Sequence, residues 1–125
     1  MSTFKVTIEI GDPSATTFRS VEALVDTGAS YTTLPRSFLQ TLGVQPDSRR
    51  TFTIATGASI VREIGQTWAR LDGQTRMTIV VFSDEGALPL IGAVTLEEFG
   101  LGVDPVARKL IPVPGLLVRI EVPGP

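Results

Sequence analysis

The chain has no cysteine and no histidine. The first absence excludes disulfides, thiol nucleophiles and zinc sites built on cysteine. The second decides more. It removes Ser-His-Asp and Cys-His catalysis, histidine general bases and most transition-metal sites. Any hydrolytic chemistry must then rest on carboxylates, Lys or Tyr. An excess of charge is also missing: 11 basic and 13 acidic side chains leave a net charge of -2. That balance gives no reason to expect nucleic acid or an anionic membrane as a partner. No run is long and apolar enough to span a bilayer. Residues 1–10 alternate apolar and polar, unlike the continuous apolar core of a signal peptide. The expectation is a soluble cytoplasmic protein with no cofactor and no metal.

What is present is a β-rich composition. Twelve glycines and nine prolines punctuate segments filled with Val, Ile, Leu and Thr. The 125 residues suit one domain, 1–125, with a modest core. Phe4, Val6, Ile8 and Ile10 alternate with Lys5, Thr7 and Glu9, which predicts a half-buried strand. Residues 18–25 form a second strand and 31–34 a third. Pro35 and Gly43 bracket a short helix at 35–42. The β-prone runs 51–55 and 59–64 flank Thr56-Gly57-Ala58 and predict a hairpin. Asp72-Gly73 joins strands at 67–71 and 77–82. A brief helix at 93–99 carries Glu97 and Glu98 on different faces, read as solvated surface. Arg49-Arg50 is read the same way. Strands at 109–113 and 116–122 complete the pattern.

The stretch that organises the chain is Ala23-Leu24-Val25-Asp26-Thr27-Gly28-Ala29-Ser30. Apolar residues run straight into an acid, a small hydroxyl residue and a glycine. Asp26 therefore sits at a turn whose base is anchored in the core, where a scaffold holds a reactive carboxylate within reach of solvent. Asp-Thr-Gly is also an ordinary turn sequence. Ile54-Ala55-Thr56-Gly57-Ala58-Ser59 repeats the stretch with Ala in place of Asp. The separation is too short for half of a catalytic domain, so the two copies read as similar glycine turns.

The order of parts carries a resemblance. A strand feeds Asp26-Thr27-Gly28-Ala29-Ser30, a glycine-tipped hairpin follows, and Leu90-Ile91-Gly92 precedes a short helix that ends at Gly100. From about residue 4 to about 113 this resembles the retropepsin-like, or retroviral-type, aspartic peptidases. The tail Gly100-Leu101-Gly102-Val103-Asp104-Pro105 is similar to small bacterial and archaeal members. The resemblance implies an all-β, closed-barrel-like protomer with one or two short helices, in a two-fold symmetric homodimer. The chemistry needs two carboxylates and the chain holds one Asp-Thr-Gly. The second Asp26 would come from a second copy.

By the same resemblance, Thr27 would tie the two turns together across the dimer axis, and Gly28 would let substrate backbone approach. The hairpin at 51–64 would be a flap, with Thr56, Gly57 and Ala58 at its tip over a peptide or protein substrate. Ile91 would line a subsite, or equally would be core. Viral members commonly carry Asp and Arg where this chain has Ser30 and Ala93, so an ion-pair network between protomers is missing. The segment 114–125 is a candidate for the dimer interface in its place. The leading expectation is a homodimeric aspartic endopeptidase. The alternatives are a catalytically silent peptide-binding or structural module of the same fold, and an unrelated small β-barrel with Asp26 as a turn residue.

Overall fold

The computed structural model describes residues 3–115. The strand expected at 116–122, and with it most of the proposed interface segment, lies outside the described residues. Alternating apolar positions near the N-terminus form β1 (Lys5–Gly11), whose Ile8 and Ile10 are buried. β2 (Phe18–Val25) returns antiparallel to it and buries Ala23 and Val25. The turn between them is organised by Asp12. Its carboxylate accepts bonds from the Thr16 and Thr17 N–H groups at 2.7 and 3.0 Å. The Ser14 and Thr16 hydroxyls also donate to it. These bonds, led by the one from Thr17, lower the Asp12 pKa to about 2.

β3 (Thr32–Pro35) leads directly into α1 (Arg36–Thr41). The helix begins one residue later than the sequence suggests, because Pro35 stays extended at ψ 141° and closes the strand. Glu85 supplies the missing cap, accepting from the Ser37 N–H at 3.0 Å and from the Ser37 hydroxyl. Those bonds lower its pKa, the hydroxyl bond most.

β4 (Ser48–Thr53) and β5 (Ser59–Leu71) form the expected hairpin, paired from Ser48–Ile64 to Thr53–Ser59. The two runs at 59–64 and 67–71 are one strand of 13 residues. Gly65 does not interrupt it, because its paired neighbour Val80 continues the ladder on β6 (Gln74–Ser83). β7 (Leu90–Ile91), α2 (Ala93–Glu98), β8 (Leu101–Asp104) and β9 (Lys109–Pro112) follow.

The main sheet has seven strands in the order β1-β2-β7-β3-β6-β5-β4. β1 also pairs with β5 at Glu9–Arg70 and Ile10–Ala69, so the pairing path returns to its start. β8 and β9 form a separate ribbon. The core within this path gathers Ile8, Ile10, Leu34, Leu39, Val80, Phe82 and Ile91, with Leu96 and Phe99 from the α2 region. Among the described residues, no helix is long and apolar enough to cross a membrane.

Candidate active site

Asp26 stands at the first position beyond β2, and the reason is topological. The two-residue strand β7 is inserted between β2 and β3. It runs parallel to β2, pairing Leu24–Leu90 and Val25–Ile91, and antiparallel to β3 at Thr33–Leu90. The chain from 26 to 31 must therefore pass over the end of β7 to travel from one flanking strand to the other. The Asp26 N–H donates to the Ile91 carbonyl at 3.0 Å, and the Ala29 N–H donates to the Asp26 carbonyl at 3.1 Å. Beyond β7, the Ala93 and Val94 N–H groups donate to the Ala29 and Ser30 carbonyls at 2.8 and 2.9 Å. Ser30 and Ala93 are thus held by main-chain bonds.

Gly92 is what permits the crossing. A Cβ there would lie 2.5 Å from the Tyr31 carbonyl carbon and 2.8 Å from that of Ser30. Only glycine allows two backbones this close. The family resemblance implies that Leu90-Ile91-Gly92 passes beneath the Asp26 turn, but the contact that demands glycine there has no local sequence signal. The need arises from a chain segment far away in sequence.

The Asp26 side chain is half-buried, and its Oδ1 accepts from the Gly28 N–H at 2.9 Å. This bond orients the carboxylate with main chain alone. Thr27 and Gly28 are exposed. Among the described residues, no cation forms an ion pair with Asp26, and no cluster of acidic side chains suits a metal ion.

A cleft of about 400 Å³ opens beside this turn. Ala29 and Tyr31 form one wall, and Ile54, Ile60 and Arg62 of the hairpin face them. Leu90 contributes to its lining, whereas Ile91 is fully buried. Successive residues of a strand point to opposite sides, so of the two apolar residues before Gly92 the first meets the cleft and Ile91 belongs to the core. Ser83 also lines the cleft, with a buried hydroxyl that has no hydrogen-bond partner among the described residues.

Thr56, Gly57 and Ala58 form the exposed hairpin tip. The Gly57 N–H donates to the Ile54 carbonyl at 2.9 Å, with Gly57 at φ +88°, a left-handed turn conformation. Gly28 does not adopt positive φ. The two similar stretches therefore turn differently and are not structural copies. At the hairpin root, Arg50 lies 5.3 Å above the Tyr31 ring and donates to its hydroxyl. Phe52 meets the same ring edge-on at 6.0 Å. Arg50 is exposed, as expected, and it also ties the hairpin to the Asp26 turn, a contact with no local sequence signal.

Comparison with known proteins agrees with this geometry. Residues 6–102 match the family model described as aspartyl protease. No curated protein gives a sequence match. Among solved structures, the chain is similar to the simian foamy virus (mac) protease in solution, with a TM-score of 0.54 and 17% identity. That match covers 77% of this chain and 94% of the viral one. At this identity the likeness speaks to the fold, which is retropepsin-like. The family match spans most of the chain and includes the Asp26 turn, the hairpin and the Gly92 crossing. The chain belongs to the aspartyl protease family and is an aspartic endopeptidase.

Proposed function

We propose that the protein works as a homodimer in which Asp26 of one protomer and the partner's Asp26 activate one water molecule to hydrolyse a peptide bond. The observation that carries this reading is the single Asp-Thr-Gly turn, with its carboxylate oriented by the Gly28 N–H beside an open cleft. Half of a two-carboxylate site is present per chain, and a two-fold axis is the simplest way to complete it.

Two carboxylates within hydrogen-bonding distance do not both ionise readily. They share a proton, and the titration belongs to the pair. The ionised partner takes a proton from the water as its oxygen attacks the peptide carbonyl carbon. The protonated partner gives its proton to the carbonyl oxygen. The tetrahedral diol then collapses. The C–N bond breaks as one carboxyl gives its proton to the leaving nitrogen. The ionised carboxylate takes a proton from a diol hydroxyl, which leaves a carboxylic acid product and restores the shared-proton pair. No covalent intermediate forms, in keeping with a chain that lacks cysteine and histidine.

In this arrangement Thr27 braces the paired turns and Gly28 leaves room for substrate backbone. Thr56, Gly57 and Ala58 close over the peptide and exclude water. The cleft between Tyr31, Ile54 and Leu90 takes an apolar substrate side chain.

The test is subunit mixing with Asp26→Asn. If each active site needs two Asp26 residues, an equimolar mixture at constant total protein retains about a quarter of the wild-type rate, the share of dimers with two intact copies. Retention of half would mean that each protomer acts alone, and the dyad reading would fall. Demonstrably dimeric wild-type protein that cleaves no peptide and binds no statine-type transition-state mimic would point to the silent module instead.

A further inference from the structure

Behind the β7 crossing, three buried hydroxyls form a continuous chain. Thr32 Oγ1 lies 2.6 Å from Thr95 Oγ1, and Thr95 Oγ1 lies 2.8 Å from Thr78 Oγ1. The three residues are 0%, 0% and 2% exposed. Each hydroxyl carries one proton, so each can donate once. The two ends of the chain have fixed polarity. The Gly92 N–H, 3.3 Å from Thr32 Oγ1, can only donate. The Glu98 carboxylate, whose Oε1 accepts from Thr78 at 2.7 Å, can only accept when ionised. One direction then satisfies every member. Gly92 donates to Thr32, Thr32 to Thr95, Thr95 to Thr78, and Thr78 to Glu98.

The inner end of this chain is the segment that carries the catalytic turn. Ile91, Ala93 and Val94 make the main-chain bonds to Asp26, Ala29 and Ser30 described above. The outer end is Glu98, on the exposed surface of α2 and the one charged member. In a low-dielectric interior, aligned hydrogen bonds polarise and strengthen one another. An obligate acceptor at one end thus orients the donors along the whole chain.

We infer that Glu98 is a positioning residue for peptide hydrolysis: its carboxylate aligns the Thr78–Thr95–Thr32 hydroxyl chain and thereby holds the Gly92 segment against the Asp26 turn. This rests on reading Asp26 as the catalytic residue. It assigns a role to a glutamate that contacts neither the cleft nor the catalytic turn. A merely packed hydroxyl cluster would tolerate either proton direction, whereas this arrangement does not.

The experiment compares surface variants that change only the polarity of the outer end. Glu98→Gln keeps an acceptor oxygen and should hold kcat within about twofold. Glu98→Lys places a donor where an acceptor is required, leaving donors at both ends. It should lower kcat roughly tenfold, within the scale of a small misplacement of catalytic groups, with KM unchanged. Thr95→Val should do the same by breaking the chain, and Thr95→Ser should restore it. The amide resonances of Gly92 and Asp26 give a readout independent of turnover. They should shift in Glu98→Lys and stay in place in Glu98→Gln. Unmoved amides in Glu98→Lys overturn the coupling, even for a protein that cleaves nothing. Shifted amides with wild-type kcat overturn the positioning role. Loss of turnover in wild-type protein with the amide pattern as expected would count against the peptidase reading and not against the chain.

Discussion

Asp26 is placed by main chain rather than by charge. Its N–H is spent on the Ile91 carbonyl and its Oδ1 on the Gly28 N–H, and an asparagine can keep the same acceptor oxygen. Asp26→Asn should therefore melt within about 0.5 kcal/mol of wild type. Its kcat should fall by at least about 10²-fold, the contribution of a general acid or base. Thermal melts and peptide cleavage on one preparation check both parts. Gly92 is the opposite kind of residue. It is buried and outside the cleft lining, and a Cβ would meet Tyr31 backbone at 2.5 Å, which no flexible side chain can relieve. Gly92→Ala should cost about 1–3 kcal/mol, as overpacking does, and lower activity as the turn shifts. Denaturant midpoints and kcat measure this. At this scale Asp26 was legible from its apolar lead-in and the glycine after it. The division of labour between Leu90 and Ile91 was not, because two adjacent apolar residues do not say which one faces the core.

Among the elements, the β4–β5 hairpin is the proposed flap. Its tip is tied down by little beyond its own turn bonds, while its root is held to Tyr31 by the Arg50 and Phe52 contacts. Tyr31→Phe keeps the ring and loses one hydroxyl bond, so its effect should be below about 1 kcal/mol. Tyr31→Ala removes both the aromatic and the cation–π contact, each of order 1 kcal/mol. It should raise KM several-fold more than Tyr31→Phe does, in steady-state kinetics on a single peptide. The β1–β2 turn has its own signature. Asp12 has a folded pKa of about 2 against an ordinary 3.8. A depressed pKa means that its stabilising bonds are fully present above pH 3.8 and are lost as pH falls through 2. Acid melts between pH 5 and 2 should show a loss of stability that is smaller in Asp12→Asn, with the remainder including the Glu85 cap. The hairpins were legible from alternation and turn residues. The continuity of β5 through Gly65 was not, since glycine is a break by propensity and is overridden here by pairing on β6.

For the molecule as a whole, the proposed dimer makes activity a function of concentration. Below the dimer dissociation constant, the initial rate should rise with the square of total protein, and above it linearly. Cleavage rates across a thousand-fold dilution series, beside sedimentation of the same samples, test this. A strictly linear rate at every dilution would show that a lone protomer suffices or that the dimer never dissociates, and sedimentation separates the two.

Some of this was settled by the amino acids alone. The absence of histidine and cysteine confined hydrolytic chemistry to carboxylates, Lys or Tyr, and the single Asp-Thr-Gly marked Asp26 as the candidate. Alternation and glycine turns established a β-rich chain with its hairpin in the right place, because side-chain periodicity and turn chemistry are local properties. The tertiary structure decided everything that depends on distant segments meeting. It put β7 between β2 and β3, brought Tyr31 backbone onto Gly92, and laid Arg50 over Tyr31. It also joined Thr32, Thr95, Thr78 and Glu98 in one line of hydrogen bonds. Register and strand insertion set these contacts, and they are products of packing the whole core at once. No window of residues contains them.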